Sequence, residues 1–196
     1  MSSSVAQQKD TATVPRWDHT LEANVYFFDD SFIFLPVYHA DKGKLHLEAR
    51  YNYEDIDTFS TWIGYNFSGG KSLQYVITPM AAGVVGRLNG LAVGLEVTLD
   101  FKGFEFYSES EHMFDLSDMG NDFFYNWTDF SFAPTEWLFF GLSGQRTRLY
   151  NSKLDIQRGI FAGGSYRRFE VSAYLYNLGF DEPFVLLTLG VNLSRL

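Results

Sequence analysis

The fold is decided by residues 45–54, which read Leu45-His46-Leu47-Glu48-Ala49-Arg50-Tyr51-Asn52-Tyr53-Glu54. Every odd-numbered residue in this stretch is apolar or aromatic, and every even-numbered residue is polar or charged. A period of two is that of a β-strand, because successive side chains of a strand point to opposite faces of a sheet. The stretch therefore predicts a strand with one apolar face and one charged face.

The same alternation continues along the chain. Residues 91–101 carry Leu, Val or Phe at every odd position and small or charged residues, with one Thr, at the even ones. Segments of about 9 to 12 residues, separated by turn residues, follow one another from Lys44 onward and give ten strands. Two further candidates, Leu21–Phe28 and Phe32–His39, bring the preferred count to twelve. In the ten-strand alternative, residues 21–40 form a plug or a lead-in to the barrel.

Two prolines bear on these strands, because proline cannot donate a hydrogen bond to a sheet ladder. Pro36 weakens the second candidate strand. Pro79 predicts a bulge within its own strand.

The residue types on the two faces of the strands, together with strand length, favour a membrane barrel. The chain contains 20 Phe and 12 Tyr, an enrichment that favours strands. No apolar run approaches the roughly 18 residues that a membrane-spanning helix needs. A tilted strand of about ten residues spans the roughly 25 Å apolar band of an outer membrane. We therefore predict an all-β fold, a closed antiparallel up-and-down transmembrane β-barrel. A soluble lipocalin-like barrel with an apolar ligand cavity is the alternative.

The turns also follow the layout of outer-membrane barrels. Tight turns such as Lys102-Gly103 and Arg167-Arg168 alternate with longer polar loops. Outer-membrane barrels have short periplasmic turns and longer extracellular loops. The pattern predicts that the tight turns face the periplasm.

Residues 1–18 are predicted to form a disordered leader, and residues 19–196 a single barrel domain. The first fifteen residues are polar and lack the apolar core of a signal peptide, so we expect a mature chain from which a signal has been removed. The formal charge of −9 argues against nucleic acid as a partner. The absence of cysteine suits an exported protein. The expected location is the bacterial outer membrane, with its lipid as partner.

Three runs of sequence carry a resemblance to a known family: LHLEARYNYEDIDTFSTWIGYNF (45–67), ITPMAAGVVG (77–86) and LDIQRG (154–159). They resemble an uncharacterised family of small bacterial outer-membrane barrels, and the resemblance covers most of the chain from Leu21 onward. It implies a fold and a location but no activity. The chain departs from such barrels at its last residue, which is Leu196 where an aromatic residue is common.

The charged face predicts an acidic lumen. Strand parity places twelve polar side chains inside the barrel: His46, Glu48, Arg50, Asn52, Glu96, Asp100, Glu105, Glu109, Glu111, Asp129, Gln145 and Gln157. An acidic lumen favours small cationic or neutral solutes over anions. Eight-stranded barrels are filled by side chains and porins of 16 or more strands are open, so twelve strands predict a narrow or occluded lumen. A passive channel and a purely structural protein both remain open, with a monomer as the default state.

Parity directs Arg146, Arg148 and Arg158 outward. If that end is extracellular, these side chains are positioned to contact lipopolysaccharide phosphates, which arginine binds in bidentate fashion. The alternative is a bulge that turns one or more of them inward against the acidic wall.

No enzyme is predicted. Some twelve-stranded barrels are lipid hydrolases with an outward Ser and His, and Ser108, Ser110 and His112 share one face of a strand. A catalytic pair needs the hydroxyl within hydrogen-bond reach of the imidazole. Residues two apart along a strand lie about 6.5 to 7 Å apart, which is too wide.

No metal or cofactor is predicted either. The four histidines lack the spacing of zinc ligands: His19, His39, His46 and His112. One loop offers oxygen ligands for Ca²⁺: Asp115, Asp118, Asn121 and Asp122. An ordinary solvated acidic loop is the favoured interpretation.

Overall fold

The computed structural model describes residues 15–117, 122–147, 155–180 and 182–195. Its strands are β1 (Asp18–Phe27), β2 (Phe32–Lys42), β3 (Leu45–Tyr51), β4 (Thr58–Tyr65), β5 (Phe67–Gly70), β6 (Gln74–Gly86), β7 (Gly90–Phe101), β8 (Phe104–Asp115), β9 (Phe123–Phe132), β10 (Leu138–Thr147), β11 (Asp155–Tyr166), β12 (Phe169–Tyr176) and β13 (Phe184–Asn192). A single 3-10 turn, Leu193–Arg195, follows β13. The described ranges contain no helix long and apolar enough to cross a membrane.

The sheet closes on itself because β1 pairs antiparallel with both β2 and β13. Every other strand pairs with its neighbours in sequence, apart from the join between β4, β5 and β6. Segments β4 and β5 both pair with β6 and together form one barrel strand. The prediction of a closed twelve-stranded antiparallel barrel is confirmed. The ten-strand alternative is wrong, since residues 21–40 supply β1 and β2.

Proline explains the interruption between β4 and β5. Gly64 faces Met80 on one side of the break and Phe67 faces Ile77 on the other, so the register does not change. Pro79 falls within the break and has no N–H to give to the ladder. The predicted bulge at Pro79 is therefore absent, and a local gap in hydrogen bonding takes its place.

The outer wall is apolar on most strands. Ile63 on β4 is 60% exposed and Leu142 on β10 is 63% exposed, with many aromatic and aliphatic neighbours similarly placed. An apolar band of this extent on a closed barrel fits contact with lipid hydrocarbon.

Connections of different length collect at the two ends of the barrel. At one end, here called the tight-turn end, residues 43–44, 102–103 and 167–168 each join two strands. Lys102 and Gly103 both have positive φ, 49° and 84°, as the favoured two-residue hairpin turn requires. At the opposite end, here called the loop end, the connections include residues 52–57 and 177–183.

Side chains fill the interior toward the loop end. Inward residues at this level are 2% exposed or less: Arg50, Thr58, Ser60, Val84, Leu88, Met113, Tyr176 and Leu186. One group of buried residues, the Met113 cluster, comprises Trp62, Met80, Ala82, Val84, Leu88, Ala92, Met113 and Phe123. A second, the aromatic cluster, comprises Trp127, Phe139, Phe161, Tyr174, Tyr176, Phe184 and Leu186. The lumen is therefore packed at this level.

Candidate functional site

Eleven of the twelve residues predicted to line the lumen lie on the inner face of the barrel, as their pairing and burial indicate. They are His46, Glu48, Arg50, Glu96, Asp100, Glu105, Glu109, Glu111, Asp129, Gln145 and Gln157. The carboxylates gather mainly on β3, β7 and β8.

Asn52 is the exception, and its predicted position in the lumen is corrected. The residue follows the end of β3 and has a positive φ of 58°. Its amide nitrogen donates to the carbonyl of Phe34 at 3.1 Å, and its Oδ1 accepts from the backbone N–H of Asp57 at 2.8 Å. Asn52 thus shapes the connection to β4, because Asn tolerates the left-handed conformation better than most residues.

The turn at Asn52 also ends the alternation, because Tyr53 and Glu54 both point inward. The Tyr53 hydroxyl, expected outside, donates to Oε2 of Glu109 inside at 2.8 Å. Glu54 Oε1 accepts from the Ser60 hydroxyl at 2.5 Å and from the Trp62 indole at 3.2 Å. Burial raises the pKa of the Glu54 carboxyl above its usual range. The connection between β3 and β4 therefore folds into the barrel mouth.

Arg50 lies at the centre of the inner charges. Its guanidinium donates to Oε2 of Glu48 from Nε at 2.6 Å and to Oε1 of Glu109 at 2.6 Å. Glu111 lies 3.5 Å away and Glu96 4.0 Å away. Four carboxylates thus surround one guanidinium that is 2% exposed. This set, Arg50 with Glu48, Glu96, Glu109 and Glu111, is called the Arg50 network below.

Two imidazoles contact the far oxygen of Glu48. His39 Nδ1 and His46 Nε2 lie 2.8 Å and 2.9 Å from Glu48 Oε1. His46 Nδ1 lies 2.9 Å from Oδ1 of Asp41. His39 was not among the predicted lumen residues. Only the pairing of His39 with Glu48 across β2 and β3 brings these groups together.

Aromatic side chains line the opposite inner wall, and the sequence argument did not predict them. Asp129 accepts hydrogen bonds there from the Trp127 indole at 2.7 Å, the Ser143 hydroxyl at 2.5 Å and the Tyr174 hydroxyl at 3.1 Å. This carboxylate is held by neutral donors and lies among rings. Among the described residues this wall carries fewer charges than the wall around Arg50, with Glu170 of β12 as a second carboxylate on the same inner face.

The inner face near the tight-turn end carries carboxylates. Asp100 and Glu105 face each other across β7 and β8 and are partly exposed. They line a cavity of about 80 Å³ together with Asp129 and Ser131. The turns that rim this end are basic, with Lys42, Lys44, Lys102, Arg167 and Arg168.

Two of the three arginines predicted to point outward lie within the described residues. Arg146 and Arg158 are exposed on the outer wall, and neither is turned inward by a bulge. Their guanidinium carbons lie 6.0 Å from the Phe124 ring and 5.8 Å from the Phe180 ring. Arg148 falls outside the described residues.

The serines considered for hydrolysis bond to other residues on the outer wall. Ser108 Oγ lies 3.1 Å from Thr128 Oγ1, and the Asn126 amide donates to Ser110 Oγ at 3.0 Å. The His112 ring packs against Phe114 at 4.5 Å between centroids. These contacts make a polar seam in the wall.

The acidic loop forms its own hydrogen bonds where it is described. Asp122 Oδ1 accepts from the backbone N–H of Asp115 at 2.9 Å, and Asp115 Oδ1 accepts from that of Ser117 at 2.8 Å. Asp118 and Asn121, the other two proposed Ca²⁺ ligands, fall outside the described residues.

Solved structures with a similar fold are outer-membrane proteins. The KdgM porin aligns with a TM-score of 0.60 at 9% identity, over 88% of this chain and 97% of that one. The NanC porin aligns with a TM-score of 0.58 at 10% identity, over 89% and 98%. Omp33 of Acinetobacter baumannii aligns with a TM-score of 0.51 at 13% identity, over 91% and 99%. No protein-family model and no curated protein sequence matches the chain. At these identities the likeness concerns the fold, which is that of a closed porin-like β-barrel.

Proposed function

We propose that this chain is a passive outer-membrane barrel that forms a narrow, cation-preferring channel of low conductance. The observation that carries the proposal is the Arg50 network inside a closed barrel, where four carboxylates surround one guanidinium. An inner surface with this excess of negative charge favours cations. The fold shared with the KdgM and NanC porins, and the apolar outer wall, support the location.

The tight-turn end belongs in the periplasm if the barrel follows the usual orientation. Solutes from that side would meet Asp100 and Glu105, whereas the lumen on the other side is narrowed by buried residues such as Met113 and Leu186. A packed lumen at one level accounts for the low conductance that we propose.

Planar-bilayer recording of the purified barrel across a KCl gradient tests the channel. We expect small currents, and a reversal potential of the sign given by cation preference. Replacing Asp100 and Glu105 by Asn and Gln is expected to reduce that preference, whereas Asp30→Asn in an exposed loop leaves it unchanged. Large anion-selective currents contradict the proposal. Folded and inserted protein that stays silent contradicts the channel and favours a structural role.

Simpler observations distinguish an outer-membrane barrel from a soluble lipocalin-like barrel. An outer-membrane barrel requires detergent to stay in solution and migrates differently on a gel before and after heating. A chain that remains monodisperse without detergent contradicts the membrane assignment.

Lipopolysaccharide is proposed as a lipid partner of the outer wall. Arg146 and Arg158 are exposed on the outer wall near the loop end, where the outer leaflet would lie. Two guanidinium groups beside aromatic rings offer charge-assisted hydrogen bonds to phosphate.

Binding of lipopolysaccharide to the detergent-solubilised barrel tests this contact. Each charge-assisted hydrogen bond contributes about 1.5 kcal/mol or more, so losing both arginines to Ala is expected to cost about 3 kcal/mol and to weaken binding on the order of a hundredfold. Arg168→Ala is the matched control, because Arg168 also lies beside a ring, at 5.2 Å from Phe169, but at the tight-turn end. Equal losses in the two variants contradict the proposal.

A further inference from the structure

We infer that His39, His46 and Glu48 form a binding site for a divalent metal ion of the zinc class inside the barrel. The inference goes beyond the proposed channel and does not depend on conduction. One ligand atom from each of the three residues lies within 4.8 Å of the other two. Two imidazoles and one carboxylate are a donor set that zinc uses in proteins.

The three atoms are close to the spacing that a bound ion needs. Zinc bonds of about 2.0 to 2.1 Å in tetrahedral geometry place neighbouring ligand atoms roughly 3.3 Å apart. The two imidazole nitrogens lie 2.8 Å and 2.9 Å from Glu48 Oε1. Binding an ion requires these atoms to separate by roughly half an ångström.

A neighbouring carboxylate orients the second histidine. His46 Nδ1 lies 2.9 Å from Asp41 Oδ1 and donates to it, and a metal ion bound at Nε2 replaces the proton that this nitrogen otherwise gives to Glu48. A carboxylate that holds the far nitrogen of a ligating histidine is a recurrent feature of zinc sites. Asp41 is in turn held by the Asn66 amide, which donates to Oδ1 at 2.7 Å.

A fourth ligand is within reach. Glu96 Oε2 lies 4.0 Å from His46 Nε2, on β7 across the barrel interior from β3. Its other oxygen lies 4.0 Å from the Arg50 guanidinium. A small movement of this side chain toward the ion completes four-coordination.

The charge of the surroundings favours a cation. The Arg50 network places four carboxylates around one guanidinium, and Asp41 adds a fifth carboxylate on the other side of His46. Glu48 Oε2 is held by Arg50, so only Oε1 faces the histidines. A divalent ion at this point offsets the excess negative charge. It takes the place of the protons that the two imidazoles otherwise share with Glu48.

The polar side chains around the site become more exposed toward the tight-turn end. The His46 side chain is 7% exposed and that of Glu96 is 15% exposed, while that of Asp41 reaches 39%. An ion would therefore approach the proposed ligands from the side of Asp41.

The test measures Zn²⁺ and Co²⁺ binding to the full chain in detergent at neutral pH, with any affinity tag removed and metal first stripped by a chelator. We expect one equivalent of Zn²⁺ by calorimetry, and a visible Co²⁺ absorption band of tetrahedral type that Zn²⁺ displaces. Millimolar Mg²⁺ should not compete, because Mg²⁺ prefers oxygen ligands. Heat-modifiable gel migration reports that each variant is folded.

Three variants separate this site from adventitious binding. His39→Gln and His46→Gln are expected to abolish the Co²⁺ band, and Asp41→Asn to weaken Zn²⁺ affinity at least about tenfold. His112→Gln on the outer wall is the matched control and should bind as the wild type does. Folded wild-type protein that binds no Zn²⁺ overturns the inference. Binding that persists unchanged in folded His46→Gln protein overturns it as well.

Discussion

Two inner walls of this barrel both fill the lumen with side chains, but with side chains of different chemistry. The Arg50 network fills the space beside β3, β7 and β8 with carboxylates around one guanidinium. The aromatic cluster fills the space beside β9 to β13 with rings, and Asp129 there is held by neutral donors. Both walls bury their side chains, so neither resembles the water-filled interior of a wide porin.

The difference indicates which wall determines ion specificity and which wall fills the lumen with side chains. Buried charges are stable only when they are paired, so each member of the Arg50 network depends on the others. Rings contribute through area and contact, so the aromatic cluster depends on shape. We expect the charged wall to decide which ions approach and the aromatic wall to keep the lumen narrow.

The largest predicted effect is in the charged wall. Arg50→Met removes the cation that four buried carboxylates share, and is expected to lower the free energy of unfolding by about 3–5 kcal/mol. Urea unfolding in lipid vesicles measures the change. Arg87→Met is the control, because the Arg87 side chain is 60% exposed, and the ion pair of Arg87 with Asp55 contributes about 0–1 kcal/mol.

Adding Glu109→Gln to Arg50→Met should recover part of the loss, since it removes one unpaired charge. If the double variant is less stable than Arg50→Met alone, charge is not what the guanidinium supplies.

A smaller effect is predicted where the aromatic wall is tightest. A Cβ at Gly163 would lie 2.3 Å from Cζ of Phe139 and 2.7 Å from the Val171 carbonyl oxygen. Gly163→Val is therefore expected to cost about 1–3 kcal/mol through overpacking. Gly83→Val is the matched control on the outer wall, where a Cβ meets nothing within 4 Å. Equal stability of the two variants in vesicle unfolding would show that Gly163 is not needed for ring packing.

The smallest effect tests the polar edge of the aromatic cluster. The Tyr176 hydroxyl lies 2.6 Å from Ser143 Oγ and accepts from the Gln145 amide at 3.0 Å. Tyr176→Phe keeps the ring and should cost about 1 kcal/mol. Tyr166→Phe, at an exposed position, should change stability by less than about 0.5 kcal/mol. A Tyr176→Phe protein as stable as the wild type contradicts a structural role for the hydroxyl.

Alternation predicted the fold and the charged wall because a period of two residues determines the face of the strand on which each side chain lies. It correctly placed Glu48 and Arg50 inside on β3, and Glu96 on β7. It failed after Asn52, where a positive φ ends the strand and turns Tyr53 inward. Parity has no means of anticipating such a turn.

Contacts between side chains on neighbouring strands, and the packing of aromatic rings inside the barrel, could not be predicted from parity for a different reason. His39 and His46 share Glu48 because of the register between β2 and β3, which parity does not specify. On β12, alternation marks the face of Glu170 and Ser172 as inner, and Tyr174 and Tyr176 share that face. Parity does not specify which rings of other strands these two tyrosines meet.

The central claim, that side chains pack the lumen toward the loop end and leave it more accessible at the tight-turn end, is tested most directly by thiol labelling. The chain contains no cysteine, so single cysteines can be introduced without background. Ser60 is 0% exposed within the loop-end half, and Ser165 is a partly exposed inward residue at the tight-turn end. In folded barrels treated with a water-soluble thiol reagent, we predict rapid labelling of Ser165→Cys and no labelling of Ser60→Cys until the barrel is unfolded. Rapid labelling of both in the folded state would show a wide, water-filled lumen and contradict the account.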